Sequence, residues 1–188
     1  MKKTFEDVVF DKILPTDGYS NEYVGCTFKS CDFSNVNFGV AEFIDCIFLS
    51  CNLTMAKFDS TTLSRVKFNE CKLFGVDFSK CSKLLFSVSF ESSILNYSLF
   101  SRNDLKNTVF NSCKLIETNF IETNLTSAKF LNCDLEKANF DRTNLEKADF
   151  STSQNYTINP ELNKLKKTKF SMPDVIGLLR GLDIIIQE

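Results

Sequence analysis

Residues 133–150 read CDLEKANFDRTNLEKADF. Leu135, Phe140, Leu145 and Phe150 stand five apart, and two residues before each comes a small side chain: Cys133, Ala138, Thr143 and Ala148. Outward from this stretch the same beat runs through Phe28, Phe33, Phe38, Phe43, Phe48, Leu53, Phe58, Leu63, Phe68, Leu73 and Phe78, then Leu85, Phe90, Leu95 and Phe100. Its companions are again small, with Asn103 and Lys83 as misfits. A helix turns about 100° per residue, so a period of five scatters these rings around its circumference. A strand alternates faces with period two and sends successive members to opposite sides. Burying a Phe or Leu side chain stabilises by about 1.5–3 kcal/mol, so a geometry that turns every member inward wins over both. A chain bending once per unit and packing on its own neighbours provides it: an all-β solenoid.

From Phe48 to Phe78, and from Leu85 to Phe150, Phe and Leu alternate without error. Like residues stack on like only when each coil holds an even number of units. That favours two or four units per coil, and two would leave little room for rings.

Ala128-Lys129-Phe130-Leu131-Asn132, Ala138-Asn139-Phe140-Asp141-Arg142 and Thr143-Asn144-Leu145-Glu146-Lys147 resemble units of the pentapeptide-repeat proteins. The resemblance implies a right-handed quadrilateral β-helix over residues 23–170, with Phe28, Phe48, Phe68, Phe90, Phe110, Phe130 and Phe150 in its structural core. Residues 1–22 keep the beat only in part, interrupted by Pro15, Asp17 and Gly18, and read as an irregular N-terminal cap. Near residues 82–87 the phase slips by two residues, which reads as a small bulge or as a protruding loop. Asn159-Pro160-Glu161 reads as a turn inside the last coil.

Residues 171–188 change character. Ser171-Met172-Pro173-Asp174 carries helix-start signals, and Val175, Ile176, Leu178, Leu179 and Leu182 form one apolar helical face. Gly181 ends it, and Ile184, Ile185 and Ile186 read as a short strand. The tail is expected to be a short C-terminal α-helix and strand that either caps the last coil or joins two copies into a homodimer; its apolar residues exceed what one small coil end can hide, which favours the dimer. In the quinolone-resistance members of the family such a tail joins two subunits, which makes Val175, Ile176, Leu178, Leu179, Leu182, Ile184 and Ile186 dimerisation candidates.

The chain has 188 residues, so one domain is the simplest reading. No stretch approaches the length of a membrane-spanning helix and no signal-peptide pattern opens the chain, which points to the cytoplasm. All eight cysteines occupy the small inward position. Buried packing thiols are the plain reading; a disulfide ladder meets unfavourable Cβ geometry, and metal binding lacks a CxxC or Cys/His spacing.

Histidine is absent, which removes imidazole acid–base chemistry and His-paired nucleophiles. The six glycines are scattered, so no phosphate loop exists. No catalytic residue, metal or cofactor is expected, no direct nucleic-acid binding and no small-molecule substrate. The surface is therefore the expected working part. The resemblance implies a protein partner, DNA gyrase or topoisomerase IV, bound by DNA mimicry and protected from quinolones. Charge agrees poorly with mimicry: residues 21–83 hold seven charges of each sign, and 84–150 hold seven basic against nine acidic. The alternative is a scaffolding rod that binds another protein through outward apolar residues, chiefly Phe74, Ile94, Leu99, Ile116 and Ile121.

Overall fold

The computed structural model describes residues 2–13, 21–182, 184 and 185. Its strands are β1 (Thr4–Glu6), β2 (Val9–Asp11), β3 (Glu22–Val24), β4 (Thr27–Lys29), β5 (Glu42–Ile44), β6 (Ile47–Leu49), β7 (Thr62–Ser64), β8 (Val66–Asn69), β9 (Val88–Glu91), β10 (Val109–Asn111) and β11 (Lys129–Leu131). All pairing is parallel. One sheet runs β1-β3-β5-β7 and the other β11-β10-β9-β8-β6-β4-β2, in a right-handed solenoid. Phe28 pairs with Phe48 and Phe48 with Phe68, so one coil takes twenty residues and four of the five-residue units. Isolated bridges tie the other two sides, as in Asp32–Asn52–Lys72 and Leu99–Asn119–Asn139.

The corners explain the outward sequence. Two residues beyond each large inward residue the backbone turns through positive φ, as at Ser30 (52°), Asn35 (60°), Asp45 (55°) and Ser50 (54°). For a residue with a Cβ this conformation costs roughly 1–2 kcal/mol. Hydrogen bonds to the next coil offset it: Asn35 N–H donates to the Thr54 carbonyl and Ser50 N–H to the Asn69 carbonyl, both at 2.9 Å. Asn and Asp just before the large residue help to close the turn. Asn119 Oδ1 accepts the Ile121 N–H and Asn139 Oδ1 the Asp141 N–H, each at 2.9 Å.

Inside, the rings form two long stacked columns, with a third, Phe5, Tyr23 and Phe43, in the first coils. Phe90, Phe110, Phe130 and Phe150 follow one another at centroid distances of 5.2, 4.9 and 4.6 Å, nearly parallel. The column Phe78, Phe100, Phe120, Phe140 meets them edge to face, as in Phe120–Phe130 at 5.8 Å and 87°. Both are favourable ring geometries. All seven rings expected in the core are buried.

Two departures from the sequence reading follow from local geometry. Between β8 and β9 the register is Val66 with Val88, twenty-two residues, so this coil carries two extra. The beat places Leu85 inside; the structure exposes it at 67%, and Phe86 packs against the core instead. The left-handed corner falls on Leu85 (φ 56°), which turns its side chain away from the core.

The tail also departs. In place of the expected α-helix, Asp174–Leu178 forms a 3-10 segment with no side-chain cap at Pro173. Gly177 lies against the last coil so closely that a Cβ there would sit 2.0 Å from the Tyr156 carbonyl oxygen. Contact with that coil, with glycines at 177 and 181, overrides the apolar periodicity. Ile184 and Ile185 are not in a strand, while Ile186 and the Pro15–Asp17–Gly18 turn lie outside the described residues.

Candidate interaction surfaces

Each corner residue sits above another one coil away, so outward side chains form columns along the rod. Most charges in these columns are paired. Arg65 grips Asp45 through two bonds of 2.6 Å, and Glu122 accepts from Arg102 (2.7 Å) and Arg142 (3.1 Å). Such exposed pairs add little stability, but they cancel field along the side that bears them. One corner column is largely polar on either side of the insertion, where Leu85 stands: Asp7, Gly25, Asp45 and Arg65 before it, Asn107, Ser127 and Lys147 after it. Glu22 and Glu42 lie beside its first part, Lys164 and Lys166 beside its last. On this side carboxylates stand beside the first coils and lysines beside the last, so no acidic stripe runs its length.

The diagonally opposite corner is apolar in its middle. Its column runs Asn35, Met55, Gly75, Tyr97, Glu117, each N–H donating to a carbonyl of the coil that follows. Met55 lies across Gly75, where an added Cβ would come within 2.5 Å of the Met55 sulfur. The Phe74 ring stands 5.0 Å from that of Tyr97. Met55, Phe74, Ile94, Tyr97 and Leu99 are all exposed, from 36% to 50%. Phe74 and Ile94 lie on one side of this corner and Leu99 on the next; Ile116 and Ile121 follow one coil on, half-buried. Sequence reading found five of these residues and missed Met55 and Tyr97. Both occupy the corner position, where most units carry a polar residue, and that contrast was the available signal.

The two-residue insertion shapes a third surface. Leu84 and Leu85 project from it, and beside them opens a groove of about 550 Å³ walled by Val66, Val88 and Val109 with Arg65, Lys67 and Asn107 at its rim. At the C-terminal end Val175 and Leu178 are half-buried. Ile176, Leu179, Leu182, Ile184 and Ile185 are exposed, Ile185 at 90%, so most of the tail's apolar surface is left uncovered.

The cysteines serve packing. All eight are buried free thiols. Cys51 Sγ donates to the Phe28 carbonyl at 3.2 Å and Cys71 Sγ to the Phe48 carbonyl at 3.3 Å. Burial pushes the Cys46 thiol up to about 12 and that of Cys31 to about 11. Among the described residues no group of His, Cys, Asp and Glu is arranged to hold a metal ion, and no helix is long and apolar enough to cross a membrane.

A model described as "Pentapeptide repeat region" matches residues 23–83 and 83–159. No curated protein matches the sequence significantly. Among solved structures, trypsin-treated QnrB1, a plasmid-mediated fluoroquinolone resistance protein, is similar with TM-score 0.58 and 20% identity, covering 99% of this chain and 98% of that one. Full-length QnrB1 gives 0.56 and 17%, with coverage of 97% and 100%. HetL, a pentapeptide repeat protein involved in heterocyst differentiation regulation in the cyanobacterium Nostoc, gives 0.46 and 17% over 91% and 90%.

Proposed function

The chain belongs to the pentapeptide-repeat family, and on that premise we propose that it is a non-catalytic protein-binding rod that engages DNA gyrase or topoisomerase IV as a homodimer. The observation that carries this reading is the uncovered apolar tail. Ile176, Leu179, Leu182, Ile184 and Ile185 leave one end of the rod with a surface that water disfavours. A second copy related by a two-fold axis would cover it with the same residues. The fold similarity to QnrB1 over nearly its whole length is compatible with a shared overall shape. The protein would act in the cytoplasm, where its eight thiols stay reduced.

DNA mimicry in its simple form asks for a continuous acidic face, and this rod supports a weaker version. On one side Asp7, Glu22, Glu42 and Asp45 stand at the first coils and Lys147, Lys164 and Lys166 at the last, while acidic and basic residues nearly balance along the whole rod. Engagement of a topoisomerase would use local carboxylates and apolar contacts rather than a charged stripe. The deciding experiment is gyrase supercoiling with a quinolone present. Restoration by purified protein supports the reading; no effect at large molar excess rejects the gyrase partner. Deletion of residues 171–188 should halve the mass in light scattering, and an unchanged mass rejects the tail as the dimer contact.

The exposed corner of Met55, Phe74, Ile94, Tyr97 and Leu99 favours a second reading, a scaffold rod that holds another protein by that patch. Loss of a co-purifying protein on changing Phe74 and Tyr97 to Ser, with folding retained, supports it.

A further inference from the structure

On the Phe74 side of the apolar corner the nearest charges are lysines; Asp134, one coil beyond them, accepts from Asn155, and Asp77, beside Leu99 on the other side, accepts from Ser79. On the side that carries Phe74, Ile94 bridges Lys72 in the preceding coil and Lys114 in the following one. Both lysines are exposed, and among the described residues neither makes an ion pair. They differ in this from Arg65, Arg102, Lys137 and Arg142, and share it with other exposed lysines such as Lys57, Lys67 and Lys129; their place beside the apolar corner is what distinguishes them. The carboxylates of the corner are engaged: Glu117 receives the Tyr97 hydroxyl at 3.5 Å and lies 3.8 Å from the Lys137 ammonium. An aromatic and thioether surface flanked by two free cations asks for a partner that supplies apolar side chains together with carboxylates.

Spacing selects its form. Adjacent coils lie about 4.8 Å apart, so Lys72 and Lys114, two coils apart, are separated by roughly 10 Å along the rod. Two turns of an α-helix cover about 10.8 Å. A helix parallel to the rod axis therefore sets carboxylates at positions i and i+7 opposite the two lysines. An apolar residue at i+3 or i+4 then falls at Ile94, and its neighbouring stripe meets Phe74, Tyr97 and Met55. We propose that this corner is a docking site for an acidic amphipathic helix of a protein partner. The proposal rests on the scaffold reading of the same patch and adds the chemistry of what is held.

The test uses the full chain and a fluorescein-labelled synthetic helical peptide of about 18 residues, long enough at 1.5 Å per residue to span the patch. The peptide carries Leu on one stripe and Glu at the i and i+7 positions beside it. Anisotropy titration should show saturable binding that weakens with added salt. Binding should fall at least about tenfold in Lys72→Glu with Lys114→Glu, and by a similar factor in Phe74→Ser. Leu84→Ser with Leu85→Ser should leave it unchanged. A peptide with Lys in place of Glu should not bind. Equal binding of the two peptides, no effect of the lysine reversals, no binding at all, or tighter binding of a single-stranded oligonucleotide would each overturn the proposal. Should the double reversal fail to fold, Lys72→Gln with Lys114→Gln serves in its place, since both side chains are exposed. If Phe74→Ser with Tyr97→Ser abolishes co-purification of a partner while the lysine reversals do not, the scaffold reading stands and the acidic helix falls.

Discussion

The Lys83 ammonium donates to Oδ1 of Asn103, and the Asn103 amide in turn donates to the Phe78 carbonyl at 3.1 Å. The two residues that broke the small-residue pattern are thus partners. Lys83 stands in the insertion with its stem exposed and its ammonium turned in, while Asn103 is buried in the position that Thr123 and Thr143 fill in neighbouring coils. Replacing Asn103 by Ala removes one of two donors to the Phe78 carbonyl, which keeps the Cys81 N–H at 3.2 Å, and takes away the Lys83 ammonium's acceptor, a loss of about 1–3 kcal/mol. Asn103→Thr should lose less, because Thr123 and Thr143 donate to the equivalent carbonyls at 2.9 and 2.6 Å. Urea unfolding of the two variants checks the order.

The ring column should tolerate shape change poorly at its centre. Phe110 stacks on Phe90 and Phe130 at 5.2 and 4.9 Å and is fully buried. Phe110→Ala should destabilise by about 3–5 kcal/mol. Phe110→Leu should cost less, since the other two sides of the coil bury leucines such as Leu115 and Leu125. Equal midpoints for the two variants in urea would contradict this packing.

Gly75 and Met55 should be coupled. At Gly75 φ is 68°, and an added Cβ would lie 2.5 Å from the Met55 sulfur. Gly75→Ala should destabilise by about 1–2 kcal/mol through the left-handed backbone alone, with a further loss from displacing Met55. Met55→Ala removes the second part and leaves the first. A double-mutant cycle by thermal unfolding should give a coupling of at least about 0.5 kcal/mol; additive effects would place Met55 elsewhere.

Alkaline pH should weaken the fold through its thiols. Burial raises the Cys46 thiol from the ordinary 9.0 to about 12. The folded state holds this proton more tightly than the unfolded chain does. The contribution is therefore fully present below pH 9 and is lost as pH climbs towards 12. Denaturant unfolding at stepped pH should show this decline, reduced in Cys46→Ala. Iodoacetamide at pH 8 should leave native cysteines unmodified and alkylate them after unfolding; rapid native labelling would contradict their burial.

Which features were legible in advance follows from how local each one is. Phe28 through Phe150 could be placed because a five-residue beat is read unit by unit. The alternation of Phe and Leu even required an even number of units per coil, since stacking turns order along the chain into order across it. Leu85 was misplaced because an insertion shifts phase, and the next inward residue depends on where the corner closes. Val175 to Leu182 read as an α-helix because apolar periodicity there is real, while the contact of Gly177 with the Tyr156 carbonyl is invisible in one dimension.

The amino-acid order alone determined that this chain winds and what fills the inside, because periodic burial is a property of neighbours five apart. The folded coil alone decided which distant side chains stand together: Met55 over Gly75, Phe74 against Tyr97, Lys72 and Lys114 on either side of Ile94. Those residues lie twenty or more apart in sequence, or face each other around a corner, and only the stacking register brings them into contact.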